Sequence, residues 1–109
     1  MKLLTRSEEM LLLAVWRLQE GAYGVTIREQ LDSVSGKSTS FGALFVSLDR
    51  LVRKGHLESY MSDSLPIRGG KKRRMFKLSD KGRIALCAIR KVEHAMWSGI
   101  SESALSQLS

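Results

Sequence analysis

A chain of 109 residues with 18 Lys and Arg against 11 Asp and Glu, a formal charge of +7, has room for one domain and one modest core. The excess charge is local, since residues 50–91 hold thirteen basic side chains and only Glu58, Asp63 and Asp80 as acids, and charge of this sign points to a polyanionic partner. The single cysteine, Cys87, excludes an intramolecular disulfide; with no signal-like apolar start and an apolar stretch of only seven residues at 10–16, a cytoplasmic protein without a membrane partner is expected.

Residues 7–19 are strong helix formers, with Ser7 as the expected N-cap, Glu8 and Glu9 where the helix dipole favours acids, and Gly21 past the end. Leu11, Val15 and Leu18 mark one face, yet Leu12, Leu13 and Trp16 make the helix apolar nearly all round. It therefore needs cover on two sides: its own core, and a second chain met by Leu12 and Trp16. After an extended link at 23–25, residues 26–34 place Ile27, Leu31 and Val34 at i, i+4, i+7, with Arg28, Glu29 and Asp32 left for water. Gly36-Lys37-Ser38 invites a phosphate-loop reading, which fails because Leu31 stands where that motif needs glycine and no buried strand precedes it.

A third helix is predicted over about 41–54, capped by Ser40 and ended by Gly55, with Phe41, Leu44, Phe45, Leu48, Leu51 and Val52 toward the core. On its other side Ser38, Thr39, Ser40, Gly42, Ala43, Val46 and Ser47 are small or lightly polar, followed by Arg50, Arg53 and Lys54. Small side chains let a helix N-terminus approach another surface closely, and its free amides attract phosphate. Residues 56–61 and 73–78 read as paired strands around a loop at 62–72. Across the loop and the returning strand, Arg68, Lys71, Lys72, Arg73, Arg74 and Lys77 place six positive charges within ten residues and no acid, with Gly69-Gly70 suited to a tight turn. Ser79 then caps a long helix reaching about residue 97, in which Ile84, Cys87 or Ala88, Lys91 or Val92, Ala95 and Met96 are spaced for a helical seam. The serine-rich end, 98–109, is expected to fray.

Catalytic chemistry finds little support. His56 and His94 are the only histidines, and Cys87 with His94 at i, i+7 is too sparse for a metal site, so a buried thiol and a surface histidine are expected. With no Ser-His-Asp grouping, paired-carboxylate site or Gly-rich cofactor loop, neither an enzyme nor a cofactor is expected.

Three helices followed by a two-stranded hairpin is the winged helix-turn-helix arrangement, mostly α with a β-hairpin, in which one helix enters the major groove and the wing follows the backbone. Residues 11–18, Tyr23-Gly24 with Ile27, Gly42-Ala43-Leu44-Phe45 with Leu48 and Leu51, Lys54-Gly55, and Arg74-Met75-Phe76-Lys77-Leu78-Ser79-Asp80-Lys81-Gly82 together resemble the PadR family of bacterial and archaeal transcriptional regulators, over roughly residues 4–97. The resemblance implies a DNA-binding domain at 1–78, a C-terminal dimerisation helix and tail at 79–109, and a homodimeric repressor of double-stranded DNA. By it, Ser38, Thr39, Ser40, Gly42, Ala43, Val46 and Ser47 would face base edges and nearby phosphates, Arg50 would face phosphate, and Arg68, Lys71, Lys72, Arg73 and Arg74 would form the wing. Ile84, Ala88, Val92, Ala95 and Met96 would join Leu12 and Trp16 at the dimer interface, and Trp97 would sit where some relatives bind small aromatic or cationic effectors, making a small hydrophobic effector an expected partner.

Two positions depart from the family pattern: Phe45-Val46 replaces the usual Tyr-Pro pair, removing a phenolic hydroxyl, and Val25 replaces a tyrosine. With few long polar side chains at the front of the third helix, base readout is expected to be sparse and to lean on shape or on thymine methyl contacts through Ala43 and Val46. The competing expectation is a winged-helix module that docks protein or RNA; RNA is normally read through stacking aromatics, and most of the seven here are expected on core faces.

Overall fold

The computed structural model describes residues 2–63 and 72–107. The first helix, α1 (Arg6–Leu18), is capped by Thr5 and not by Ser7. The Thr5 hydroxyl accepts from the Glu8 amide at 3.2 Å while the Glu8 carboxylate accepts from the Thr5 amide at 2.9 Å, a reciprocal capping box. The other Glu8 oxygen meets Lys54 Nζ at 2.6 Å, so the same residue fastens α1 to the end of the third helix. A 3₁₀ turn follows α1, and α2 (Gly24–Ser35) then starts two residues earlier than expected. Only Tyr23 stays extended, as the N-cap, because the Thr26 hydroxyl accepts from its amide at 3.0 Å and closes the first turn.

The third helix, α3 (Phe41–Arg53), has Ser40 as its cap, the serine hydroxyl accepting from the Ala43 amide at 3.2 Å. Strands β1 (Leu57–Met61) and β2 (Arg74–Leu78) pair antiparallel, Leu57 opposite Leu78 and Met61 opposite Arg74. The last long helix is α4 (Asp80–Trp97), and the Ser79 hydroxyl both accepts from the Gly82 amide at 3.0 Å and donates to the Gly55 carbonyl at 2.6 Å. Glycine is required at 82, since a Cβ there would collide with the His56 backbone carbonyl and lie 2.7 Å from Leu78 Cδ1. The expected frayed end instead contains a short helix, α5 (Glu102–Ser106), with Ser101 as its cap.

One apolar core joins these elements. Leu12, Val15, Ile27, Leu44, Leu48, Leu51, Leu57 and Phe76 are its fully buried side chains. The Phe76 amide donates to the Ala22 carbonyl at 2.9 Å, and Tyr23 bridges to Met75, so β2 is drawn in beside α1. Leu12, assigned to a partner surface, is instead fully buried within its own domain, and the exposed large apolar residues of α1 are Leu13 and Trp16. Cys87 is likewise exposed and not buried, because α4 turns Leu86 and Ile89 inward.

Where α1 meets α4, Arg6 Nη1 lies 3.3 Å from Glu9 Oε1 and 3.3 Å from Glu93 Oε2. Burial, and then the neighbouring Glu93, push the Glu9 pKa up, whereas hydrogen bonding from Lys54 holds Glu8 down to about 2. The two neighbours therefore respond to acid in opposite senses. Glu8 adds stability that is present above its ordinary value of 4.5 and is lost as pH falls toward 2; Glu9 adds stability at low pH that is lost as pH rises through its raised value. In thermal melts, Glu8→Gln is expected to be less stable than wild type near neutrality with the gap closing in acid, while Glu9→Gln gains on wild type as pH rises.

Candidate nucleic-acid interface

The approach to α3 is built by a chain of contacts from α2. Gly36, with a left-handed φ of 72°, ends α2, and Asp32 Oδ1 then accepts from the Thr39 amide at 3.1 Å. The same carboxylate pairs with Arg28 Nε at 3.6 Å, and the Arg28 guanidinium lies 4.4 Å over the Phe41 ring. Phe41 stacks on Phe45 with centroids 6.4 Å apart, and Phe45 packs so closely on Gly24 that a Cβ at that position would lie 2.7 Å from the ring. A side chain at 24 would displace the Phe45 ring from its place against α2.

Along α3 the core takes Leu44, Leu48 and Leu51, one face at i, i+4, i+7. Phe41 and Phe45, expected on the core side, remain 39% and 36% exposed and flank the opposite face. Of the residues predicted to read DNA, Ser38, Ser40, Gly42, Ala43, Val46 and Arg50 are exposed, while Thr39 and Ser47 are half-buried. Gly42, Ala43 and Val46 fall on one side by i, i+3 and i, i+4 spacing. The Ser40 oxygen is occupied by its cap.

The hairpin places its cations unequally. Arg68 and Lys71 lie outside the described residues. Lys72 and Arg73 are exposed; the Arg73 guanidinium sits 4.5 Å over the Tyr23 ring, and its amide donates to Ser62 Oγ at 2.8 Å. Arg74 is committed elsewhere, with Nη1 2.6 Å from Asp49 Oδ1 and its guanidinium 4.9 Å over Phe76. It thereby neutralises an acid of α3 that would repel phosphate. Among the described residues Arg50, Arg53, Lys72 and Arg73 form no ion pair. Arg28 and Tyr23 were missed as members of this surface, because their roles depend on contacts with residues far away in the chain that no local pattern announces.

A second exposed surface is apolar. On α4, Ile84, Val92 and Met96 are exposed at 61%, 41% and 74%, Ala88 is half-buried and Ala95 exposed, and Trp97 lies at the far end, also exposed. Trp16 of α1 is exposed beneath the Arg83 guanidinium, 6.0 Å from its ring, at the edge of an open cleft of about 690 Å³ that also touches Tyr60 and Lys77. Exposed aromatics are therefore commoner than expected, Phe76 alone being fully buried among the ring residues. His56 is half-buried with its Nδ1 atom enclosed and unpartnered, and burial followed by Lys81 lowers its pKa. Among the described residues there is no cluster of three or more metal-ligating side chains and no helix long and apolar enough to cross a membrane.

The sequence pattern of the transcriptional regulator PadR-like family matches residues 12–88, from α1 through the first half of α4. The chain belongs to that family. Solved structures share its fold at low identity. RosR of H. salinarum superposes with a TM-score of 0.70 at 20% identity, covering 96% of this chain and 89% of that one. A PadR-like transcriptional regulator from Bacillus cereus gives 0.69 at 21% identity, with 94% and 91% covered. A PadR family transcription regulator from Clostridium difficile gives 0.62 at 20% identity, with 94% and 98% covered. No curated protein matches the chain by sequence. The winged-helix fold, with its additional C-terminal helix, is thus that of PadR-like DNA-binding transcriptional regulators.

Proposed function

We propose that this PadR-like chain is a homodimeric repressor that inserts α3 into the major groove and lays its hairpin on the flanking phosphates. The observation that carries this reading is the capped, small-residue face of α3, bordered by Arg50, Arg53, Lys72 and Arg73, none of them ion-paired among the described residues. Small side chains permit close approach to base edges, and free cations at the borders match the phosphate walls of a groove. The exposed stripe Ile84, Val92 and Met96, with the half-buried Ala88 between them and Trp16 on α1, supports pairing of two copies, which would present two α3 helices to two half-sites. On this reading residues 1–78 bind DNA, 79–109 dimerise, and occupation of promoter DNA excludes the transcription machinery. A planar hydrophobic effector at Trp97 would quench its fluorescence, and an unchanged titration in Trp97→Ala would remove that part of the proposal.

Fluorescence anisotropy against the chain's own upstream promoter and a scrambled duplex tests the reading. Binding is expected to favour the promoter and to weaken steeply with salt for both duplexes; no binding of either at low salt would contradict it. The two adjacent wing arginines should behave differently. Arg73→Ala removes two phosphate-facing cations per dimer and should flatten the logarithmic salt slope by about 2. Arg74→Ala unmasks Asp49 and should weaken binding, and the double variant Arg74→Ala with Asp49→Ala should recover much of that loss, a coupling that independent phosphate contacts would not produce.

A further inference from the structure

The front of α3 leaves few polar groups free beside the exposed Ser38 and the arginines that follow it. Ser40 spends its oxygen on the helix cap, Asp49 is bound to Arg74, and Thr39 and Ser47 are half-buried. Between them lies an exposed apolar patch: Val46 at 57% and Val25 at 45% exposure, Ala43, and the stacked Phe41 and Phe45 rings. Arg28, paired with Asp32, lies over Phe41 at one side; Arg50 and Arg53 follow Val46 on α3, and Arg73 lies over Tyr23, next to Gly24, these three forming no ion pair among the described residues.

An apolar patch with free arginines beside it fits a polyanionic surface that has an apolar floor. A DNA major groove has the complementary pattern, with phosphates along both walls and, on its floor, one apolar group that varies with sequence, the methyl at pyrimidine C5. We propose that this chain selects its site chiefly by burying pyrimidine 5-methyl groups against Val46 and Ala43, with Val25 and the Phe41–Phe45 pair closing the side of the contact. The ligand class is therefore duplex DNA carrying thymine or 5-methylcytosine at the contacted positions. The inference rests on the DNA-binding reading above and adds what that reading leaves open, the group on the base that is recognised.

The test changes only that group. The upstream promoter duplex is made once with thymidine and once with deoxyuridine throughout, and binding is followed by anisotropy for wild type and Val46→Ser. Val46 is exposed, so the variant should keep its fold, which circular dichroism checks. Each buried methyl is worth about fourfold in affinity, so with one or two contacts per half-site, wild type should bind the thymidine duplex about tenfold or more better, and Val46→Ser should lose most of that preference. At a contacted cytosine, 5-methylation should raise wild-type affinity.

Equal binding of the two duplexes by wild type, with the promoter still preferred over a scramble, would overturn the methyl readout and leave the DNA reading intact. An undiminished thymidine preference in Val46→Ser would also overturn it, because the preference would then come from duplex shape. If neither duplex binds at low salt, the DNA reading itself fails and this inference goes with it. A change of oligomeric state in Val46→Ser, without a change in discrimination, would assign the patch to a second copy of the chain instead.

Discussion

The variant carrying Val92→Asp and Met96→Asp is expected to be a folded monomer that binds promoter DNA two to three orders of magnitude more weakly than wild type. Both side chains are exposed on α4, at 41% and 74%, so the domain core does not need them. In a paired α4 seam, each new carboxylate would be buried against an apolar surface without a partner, a cost large enough to separate the protomers. A monomer then loses the high effective concentration that one bound head confers on the other. Sedimentation velocity reads the mass and anisotropy reads the binding. A double variant that remains dimeric would move the interface away from α4.

Phe76→Ala carries the largest expected cost to folding. Its ring is fully buried on β2, between the hairpin and α1, and truncation should remove about 3–5 kcal/mol, a large share of the roughly 5–15 kcal/mol that holds a domain of this kind together. Because β2 also carries Arg74, which neutralises Asp49 on α3, the wing should loosen before the rest of the domain. Urea unfolding measures the cost, and a loss below about 1 kcal/mol would show that the hairpin is not part of the common core.

The helices were legible in sequence where one residue type had one reason to be there. Ser40 and Ser79 cap α3 and α4 as expected, and Leu44, Leu48 and Leu51 form the buried stripe of α3. Misreadings occurred where two residues satisfied the same rule or where the deciding neighbour was far away. Thr5 and Ser7 can both cap α1, and the Thr5–Glu8 reciprocity with its link to Lys54 selects the former. Leu12 and Leu13 are indistinguishable until the rest of the fold closes on α1 and buries the first of them. Phe41 and Phe45 carry a core periodicity, yet the leucine stripe already fills the core, and Gly24 provides the rings with a seat at the edge.

The interface was legible as a composition and not as a set of contacts. Small residues on α3 and cations in the hairpin could be read directly, whereas the pairing of Arg74 with Asp49 and the stacking of Arg28 on Phe41 and of Arg73 on Tyr23 could not, since each joins residues brought together only by the fold.

Hydroxyl-radical footprinting of the upstream promoter bound by the wild-type protein reports both the groove and the symmetry of binding. A dimer with two α3 helices in the major groove should leave two protected segments related by a dyad, with centres one helical turn, about 10 base pairs, or a multiple of it apart. A single unpaired segment, or protection spread evenly along the duplex, would contradict it.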